Sequence, residues 1–364
     1  MLKLNSISDS TVLVRVNYDL PLPISTERID DSLSTLESLF ENNNKVVIVT
    51  HWGRPENNDP KFSTKNLIPY IEESLGRTVV YINQFKSFEH AKEIIEDSPE
   101  KFFLLENTRY NSDEKSKDSM IRLDLAKSYA YLGDAYVDEA FPVSHRNEAT
   151  NCEIKTKLPF CYGISYQNEI QNLDKIKSNP QSPFVAIMGG AKLETKLPLI
   201  NKILPKVDKI LVGGLLAFTF LQAKKNLGKE IPAIFDSIVE ADFVAVAEDI
   251  LKNHGDKIIL PIDLAYGKNE GKKYGYDIGQ ETIDSFSSEI ANAKTIFWNG
   301  PMGFCEKKPF DKGTLEIAKA IAVNKSAFSA IGGGDTGSAV PAEIESQFDF
   351  VSMGGGATLE YLAK

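Results

Sequence analysis

Five short segments combine arginine or histidine with an amide or an acid: Arg15-Val16-Asn17-Tyr18-Asp19, Glu27-Arg28-Ile29, His51-Trp52-Gly53-Arg54-Pro55, Glu106-Asn107-Thr108-Arg109-Tyr110 and His145-Arg146. A guanidinium is a planar fork that grips carboxylate or phosphate through two hydrogen bonds, whereas an ammonium is a solvated point charge. Of the 41 basic residues only seven are arginine, and all seven (Arg15, Arg28, Arg54, Arg77, Arg109, Arg122, Arg146) lie in the first 146 residues. Taken singly, each reads as a surface ion pair worth about 0–1 kcal/mol. Several at strand ends would instead form a basin for a small acid that carries both phosphate and carboxylate.

Glycine shows the opposite bias, with 20 of 24 beyond residue 164. Five apolar runs there end directly in it: at Gly189-Gly190, Gly213-Gly214, Gly300, Gly332 to Gly334 and Gly354 to Gly356. Ligands of open parallel sheets bind outside the carboxyl ends of the strands, where glycine lets backbone amides approach a phosphate. A nucleotide or polyphosphate site is the expectation. The P-loop pattern is absent, and G-x-G-x-x-G occurs only at Gly332 to Gly337, one match to a weak motif, so a dehydrogenase is disfavoured. After Gly189-Gly190-Ala191 come Lys192 and Lys196, whose spacing on a helix would put both ammonium groups on one face, around an anion or simply in solvent. Asp335-Thr336, after three glycines, supplies a carboxylate suited to magnesium beside phosphates, or an N-cap, or both.

These residues need positioning. Apolar runs at 12–16, 45–50, 78–82, 102–105, 135–141, 184–190, 209–214, 257–262, 295–300, 327–334 and 350–356 alternate with amphipathic stretches such as 34–42, 64–76, 238–255 and 314–324. Strands without clean alternation, separated by helices, predict parallel sheets covered on both faces. The pattern weakens near 151–168, followed by a helical segment and Pro180 and Pro183. The expected fold is therefore two doubly wound, Rossmann-like α/β domains, residues 1–165 and 181–364, joined by a helix over 166–180 with a cleft between them. The length of 364 residues suits two domains. A net charge of −10 argues against nucleic acid as partner. No apolar run reaches the roughly 18 residues of a membrane span. No export signal stands at the start, and three unpaired-looking cysteines (Cys152, Cys161, Cys305) suit a reducing cytoplasm.

A basic acid-binding half and a nucleotide half, with no evident nucleophile or general base, fit phosphoryl transfer, where catalysis is mostly positioning and charge neutralisation. Here the chain resembles the phosphoglycerate kinase family, in order along nearly its whole length: VLVRVNYDLPL, TERIDDSL, THWGRP, LLENTRY, VDEAFPVSHR, FVAIMGGAKLETK, ILVGGLLAFTFL, GYDIGQETI, WNGPMG with FDKGT, AIGGGDTGSAV and VSMGGGATLEYL. The resemblance implies a two-lobed monomer that moves a phosphoryl group between ATP and 3-phosphoglycerate on hinge closure. It assigns Asn17, Asp19, Arg28, His51, Arg54, Arg109 and Arg146 to the phosphoglycerate, and Arg28 with Lys192 to the phosphoryl group in flight. Lys192 and Lys196 would hold nucleotide phosphates with Gly333, Gly334 and the glycines at 354–356. Thr336 would sit beside those phosphates and Asp335 would ligate Mg2+. Gly190, Gly213, Gly214, Asn299, Pro301 and Glu306 would line the adenosine site, Glu306 on the ribose.

The chain departs from the family pattern in places. Asn17-Tyr18-Asp19 exchanges the usual acid and amide, Asp138-Glu139-Ala140-Phe141-Pro142 replaces Asn-Asp-Ala-Phe-Gly, and Thr195 stands for an aspartate. Between Asp263 and Asp277 the chain is shorter than usual, removing part of the expected adenine wall, and it stops at Lys364 without the usual tail. These changes keep two alternatives open: a kinase of the same fold for another small acid, and a non-catalytic nucleotide binder.

Overall fold

The structure, a computed structural model, describes residues 2–364 apart from the side chain of Asp335. The chain divides into two compact units, one ending at Ile170 and one starting at Gln171. The division falls inside a helix, Ile164–Lys177.

In the first unit β1 (Thr11–Arg15), β2 (Lys45–Val49), β3 (Val79–Ile82), β4 (Phe102–Leu105), β5 (Ala135–Asp138) and β6 (Phe160–Tyr162) form one sheet in the order β3-β4-β2-β1-β5-β6. Every pairing is parallel. Parallel neighbours need crossover connections, and these cover both faces with helices. Successive side chains therefore enter opposite cores. Val12, Val14, Val46, Ile48, Phe102 and Leu104 pack with Leu36, Leu39 and Ile71 on one face. Leu13, Val47, Val49, Phe103 and Leu105 pack with Ile95, Leu125 and Tyr129 on the other. Each such side chain contributes about 1.5–3 kcal/mol by leaving water. The consequence for chemistry is that all six strands end on one rim.

The second unit contains β7 (Phe184–Met188), β8 (Lys209–Val212), β9 (Ile258–Ile259), β10 (Leu264–Asn269), β11 (Lys272–Ile278), β12 (Thr295–Asn299), β13 (Phe328–Gly332) and β14 (Phe350–Ser352). Six of them form a parallel sheet in the order β14-β13-β12-β7-β8-β9. The five glycine-ended runs are thus five adjacent strands ending on a common rim.

Two elements differ from the sequence expectation. Phe160–Tyr162 is a sixth edge strand where the pattern weakened. Residues 264–278 form a separate antiparallel hairpin. Its turn uses Glu270 at φ 49° and Gly271 at φ 77°, left-handed conformations suited to a tight hairpin connection. Tyrosines at 266, 274 and 276 flank that turn, and they are the β signal that the surrounding lysines and glycines obscured.

Candidate active site

The first rim gathers side chains from four loops. After β1 the chain presents Asn17, half-buried, and Asp19, then the short helix Glu27–Asp30 with Arg28. Arg28 donates to the Asp19 carbonyl. After β2 come His51, buried, and Arg54, exposed. Arg109 follows β4 and donates to the Gly53 carbonyl at 2.5 Å. Arg146 follows β5 and stays about one-third exposed.

One acid draws three cations together. Glu148, buried, lies 3.4 Å from Arg15 and 3.9 Å from both Arg109 and Arg146. Burial opposes its charge, but the facing cations outweigh that and hold its carboxyl below the usual range. Glu114, beneath, receives the Thr150 hydroxyl at 2.5 Å. Burial pushes its carboxyl up to about 8, so it stays protonated at neutral pH and does not cancel the cations. Sequence reasoning missed both acids. The signal for Glu148 was its place two residues after Arg146.

Arg15 is not a surface ligand. It is fully buried, and its guanidinium donates to Thr150 Oγ1 at 3.0 Å, to the Val16 carbonyl at 2.6 Å and to His51 Nδ1 at 3.0 Å. A guanidinium has no acceptor, so Nδ1 must accept and the proton of neutral His51 sits on Nε2. Burial pulls the imidazole down to about 4, opposed by Asp19 and reinforced by Arg15 and Arg109. His51 is thus a neutral donor at pH 7. Its Nε2 finds no hydrogen-bond partner, and Asp19 Oδ2 stands 3.7 Å off. Asp19 Oδ1 accepts the Gly53 amide at 2.7 Å. Burial would raise its carboxyl, yet His51, that amide and Arg109 hold it far below the usual range. Arg109 Nε and Glu148 Oε1 are likewise buried without hydrogen-bond partners. Buried polar atoms are normally paired, so three orphans in one cluster mark a place for a polar ligand.

Two arginines do other work. Arg77 lies over the Phe40 ring, 3.8 Å from its centroid. Arg122 pairs with Glu153 at 2.6 Å.

The second rim is built mainly from backbone. Several glycine amides, expected to face phosphate, donate instead to protein carbonyls: Gly189 to Asn299 at 2.9 Å, Gly190 to Pro301, Gly213 to Met188 and Gly214 to Met302 at 2.8 Å. Glycine is required here because the turns after β7, β8 and β12 touch. A Cβ on Gly300 (φ 93°) would lie 2.2 Å from the Gly189 carbonyl, and one on Gly214 (φ 58°) 2.3 Å from the Gly190 nitrogen. Gly333, at φ 96°, approaches the Asn299 amide. At Gly334 and Gly355 a Cβ would meet nothing within 4 Å. The ends of β13 and β14 are therefore the open part of the rim.

Lys192 and Lys196 do not share one helical face. The helix Leu193–Ile203 begins after Lys192, which is its N-cap at ψ 82° and exposed. Lys196 is buried, with its ammonium on Asn299 Oδ1 at 3.0 Å. Asn299 Nδ2 donates to the Gly332 carbonyl at 2.6 Å. Thr336 is fully buried and its hydroxyl serves the turns, accepting the Gly300 amide at 2.6 Å and facing the Gly332 carbonyl at 3.2 Å. Asp335 belongs to the short helix Gly334–Gly337, and its side chain lies outside the described residues.

Beside these turns lies a cavity of about 360 Å³. Gly190, Gly214, Pro301 and Glu306 line it, together with Phe218, Leu264, Tyr276 and Phe304, whereas Gly213 and Asn299 do not. It is mostly apolar with polar groups at its edges, the usual form of a small-molecule site. The hairpin supplies Leu264 and Tyr276 to this lining, within the segment that is shorter than the family pattern.

A parallel-sheet unit with a guanidinium basin, and another with a buried lysine, glycine turns and an apolar cavity, are the working parts of a nucleotide-dependent phosphotransferase. A family model described as phosphoglycerate kinase matches residues 2–364. The phosphoglycerate kinase of Finegoldia magna is 37% identical over 386 residues, spanning 98% of this chain and 94% of its own length. That of Listeria monocytogenes is 37% identical over 379 residues with the same coverage. Among solved structures, phosphoglycerate kinase from Coxiella burnetii aligns at TM-score 0.83 and 29% identity, over 98% of this chain and 94% of that one. The Pyrococcus horikoshii enzyme aligns at 0.84 and 29%, over 100% and 96%. The chain belongs to the phosphoglycerate kinase family, phosphotransferases with a carboxyl group as acceptor.

Proposed function

We propose that this chain is an active phosphoglycerate kinase that moves a phosphoryl group reversibly between ATP and the carboxylate of 3-phosphoglycerate. The observation that carries the acid half is the cluster of orphaned buried polar atoms, His51 Nε2, Arg109 Nε and Glu148 Oε1, among guanidinium groups. Arg15, Arg109 and Arg146 surround Glu148, and Arg109 also acts on Asp19; with Arg28 and Arg54 in the neighbouring loops the rim keeps a positive excess for a polyanionic ligand. Arg54, Arg109 and Arg146 would hold its charged groups, His51 would donate from Nε2, and Asn17 and Asp19 would meet its hydroxyl.

On the other rim Lys196 would meet nucleotide phosphates, with amides near Gly333, Gly334 and Gly354 to Gly356. Thr336 and Asn299 support those turns from below, and Gly213 supports the β8 turn. Gly190, Gly214, Pro301 and Glu306 would bound the adenosine. A magnesium ion arriving with the nucleotide would take Asp335 as its protein carboxylate, because this ion favours few protein ligands plus phosphate oxygens. It would neutralise charge on the polyphosphate. Arg28 and Lys192 would neutralise the transferring phosphoryl group, which needs positioning and charge more than covalent help.

We take the helix Ile164–Lys177 as the joint between an acid-binding domain, residues 1–165, and a nucleotide domain, residues 181–364, with the linking segment at 166–180. Transfer requires the two ligands to meet, so hinge closure belongs to this reading. So do a monomeric state and a cytoplasmic location; no helix among the described residues is long and apolar enough to cross a membrane.

The test is a coupled assay with magnesium, ATP and 3-phosphoglycerate, reading 1,3-bisphosphoglycerate through NADH consumption. Turnover near 10 per second, the enzyme median, is expected. No turnover, with ATP still bound by calorimetry, would overturn the substrate assignment.

A further inference from the structure

The cavity of the second unit carries an aromatic arrangement not explained by packing alone. Phe304 and Tyr276 both line it. Their rings are stacked at 5.8 Å between centroids and 28° between planes. The Phe304 amide donates to the Tyr276 carbonyl at 2.7 Å, so the loop after β12 is tied to the hairpin strand β11 where the two rings meet. Tyr276 is enclosed further by Phe310, 4.8 Å away, and by the Lys307 ammonium, 4.5 Å from its ring centroid. Phe304 is not enclosed, and 45% of it is exposed at the cavity. A single exposed apolar residue is ordinary. A ring held by a backbone hydrogen bond and a stacked neighbour at a cavity edge, two residues from Glu306, is a surface prepared for another flat group.

Two of the polar side chains lining the cavity, Asp277 and Ser237, are engaged by main-chain amides. Asp277 accepts the amides of Ile278 at 2.8 Å and Gly313 at 2.7 Å. Ser237 accepts the Gly275 amide at 2.9 Å. The exposed ring therefore offers a base its π-face beside these engaged groups.

We propose that Phe304 is the platform on which the nucleobase stacks, and that Tyr276 is the positioning residue that holds its ring. The inference rests on reading this cavity as the nucleoside end of the nucleotide site. Stacking on an aromatic side chain is commonly worth a several-fold to hundred-fold change in affinity when truncated to alanine.

Calorimetry with ATP, with inorganic tripolyphosphate and with 3-phosphoglycerate tests it. Phe304→Ala should weaken ATP about ten-fold and leave tripolyphosphate and 3-phosphoglycerate unchanged. Phe304→Tyr should restore ATP affinity, Phe304→Leu should restore it only in part, and Tyr276→Leu should fall between alanine and wild type. If Phe304→Ala binds ATP as tightly as wild type, or loses ATP and tripolyphosphate alike, the platform is wrong while the nucleotide reading stands. If wild type binds 3-phosphoglycerate but no ATP, the nucleotide reading fails and the platform with it.

Discussion

On the proposed reading the two rims answer the same problem, holding an anion at the carboxyl ends of parallel strands, with different materials. The first uses side chains: guanidinium groups from loops after β1, β2, β4 and β5, with Glu148 between Arg109, Arg146 and the buried Arg15. The second uses main chain: glycine turns that lock onto one another, one buried lysine and an apolar cavity. A small acid offers little surface beyond its charged groups, so it must be read by forks placed around it. A nucleotide offers a long polyphosphate and a flat base, so backbone shape and apolar area suffice.

The largest expected effect falls at Arg28, the charge proposed to act on the transferring group. Arg28→Ala should raise the barrier by about 3–4 kcal/mol, as loss of a transition-state donor does, with ATP affinity little changed. Steady-state turnover beside calorimetry reads both. Unchanged turnover would remove Arg28 from the reaction.

The main-chain character of the second rim predicts a stability effect next in size. Gly300→Ala puts a Cβ against the Gly189 carbonyl at a φ of 93° and should cost about 3 kcal/mol through strain and overpacking. Gly334→Ala, where the added carbon meets nothing, should leave thermal unfolding nearly unchanged. Equal melting temperatures for the two would refute the interlocked-turn account.

Titration acts with opposite signs at His51 and at Asp277. Burial keeps His51 neutral with a folded pKa of about 4 against 6.5 in the unfolded chain. Between those values the unfolded state binds more protons, so this contribution, about 3 kcal/mol, is present above pH 6.5 and lost as pH falls towards 4. In the second unit burial raises Asp277 to about 7 from 3.8. There the folded state binds more protons, so stability declines as pH rises from 3.8 through 7. Denaturant melts across pH should therefore show a shallower acid-side slope in His51→Gln, where Asp19 and Glu148 still contribute, and a shallower neutral-side slope in Asp277→Asn, where Glu114 still contributes. A variant that keeps its slope rules out that residue as the source.

The smallest effect concerns the counter-ion. Glu148→Gln leaves guanidinium groups facing one another and should cost about 1–3 kcal/mol. Added 3-phosphoglycerate should then raise the melting temperature more than it does in wild type. An equal or smaller rise would mean that Glu148 does not balance the site.

Much of this was legible along the chain. FFLL at 102–105 and FVAIM at 184–188 are buried throughout, and their continuous apolar character already specified parallel strands. Phe160–Tyr162 was not legible, because three residues at a sheet edge are too few for periodicity. The hairpin at 264–278 was hidden because its strands are rich in lysine and glycine, leaving only the spaced tyrosines. Among site residues, His51, Arg109 and Lys196 stood out by type and position. Glu148 and Glu114 did not, since a carboxylate in sequence looks alike whether solvated or buried.

The sequence by itself determined the division into two parallel α/β units, the gathering of strand ends on common rims and the bias of arginine and glycine between them. These follow from local periodicity and the geometry of strands. Only the tertiary structure decided that Arg15 lies beneath the basin, that His51 carries its proton on Nε2, that Glu114 stays protonated and that most strand-end glycines serve packing. Charge, tautomer and close approach depend on burial and on neighbours distant along the chain, and folding alone brings those together.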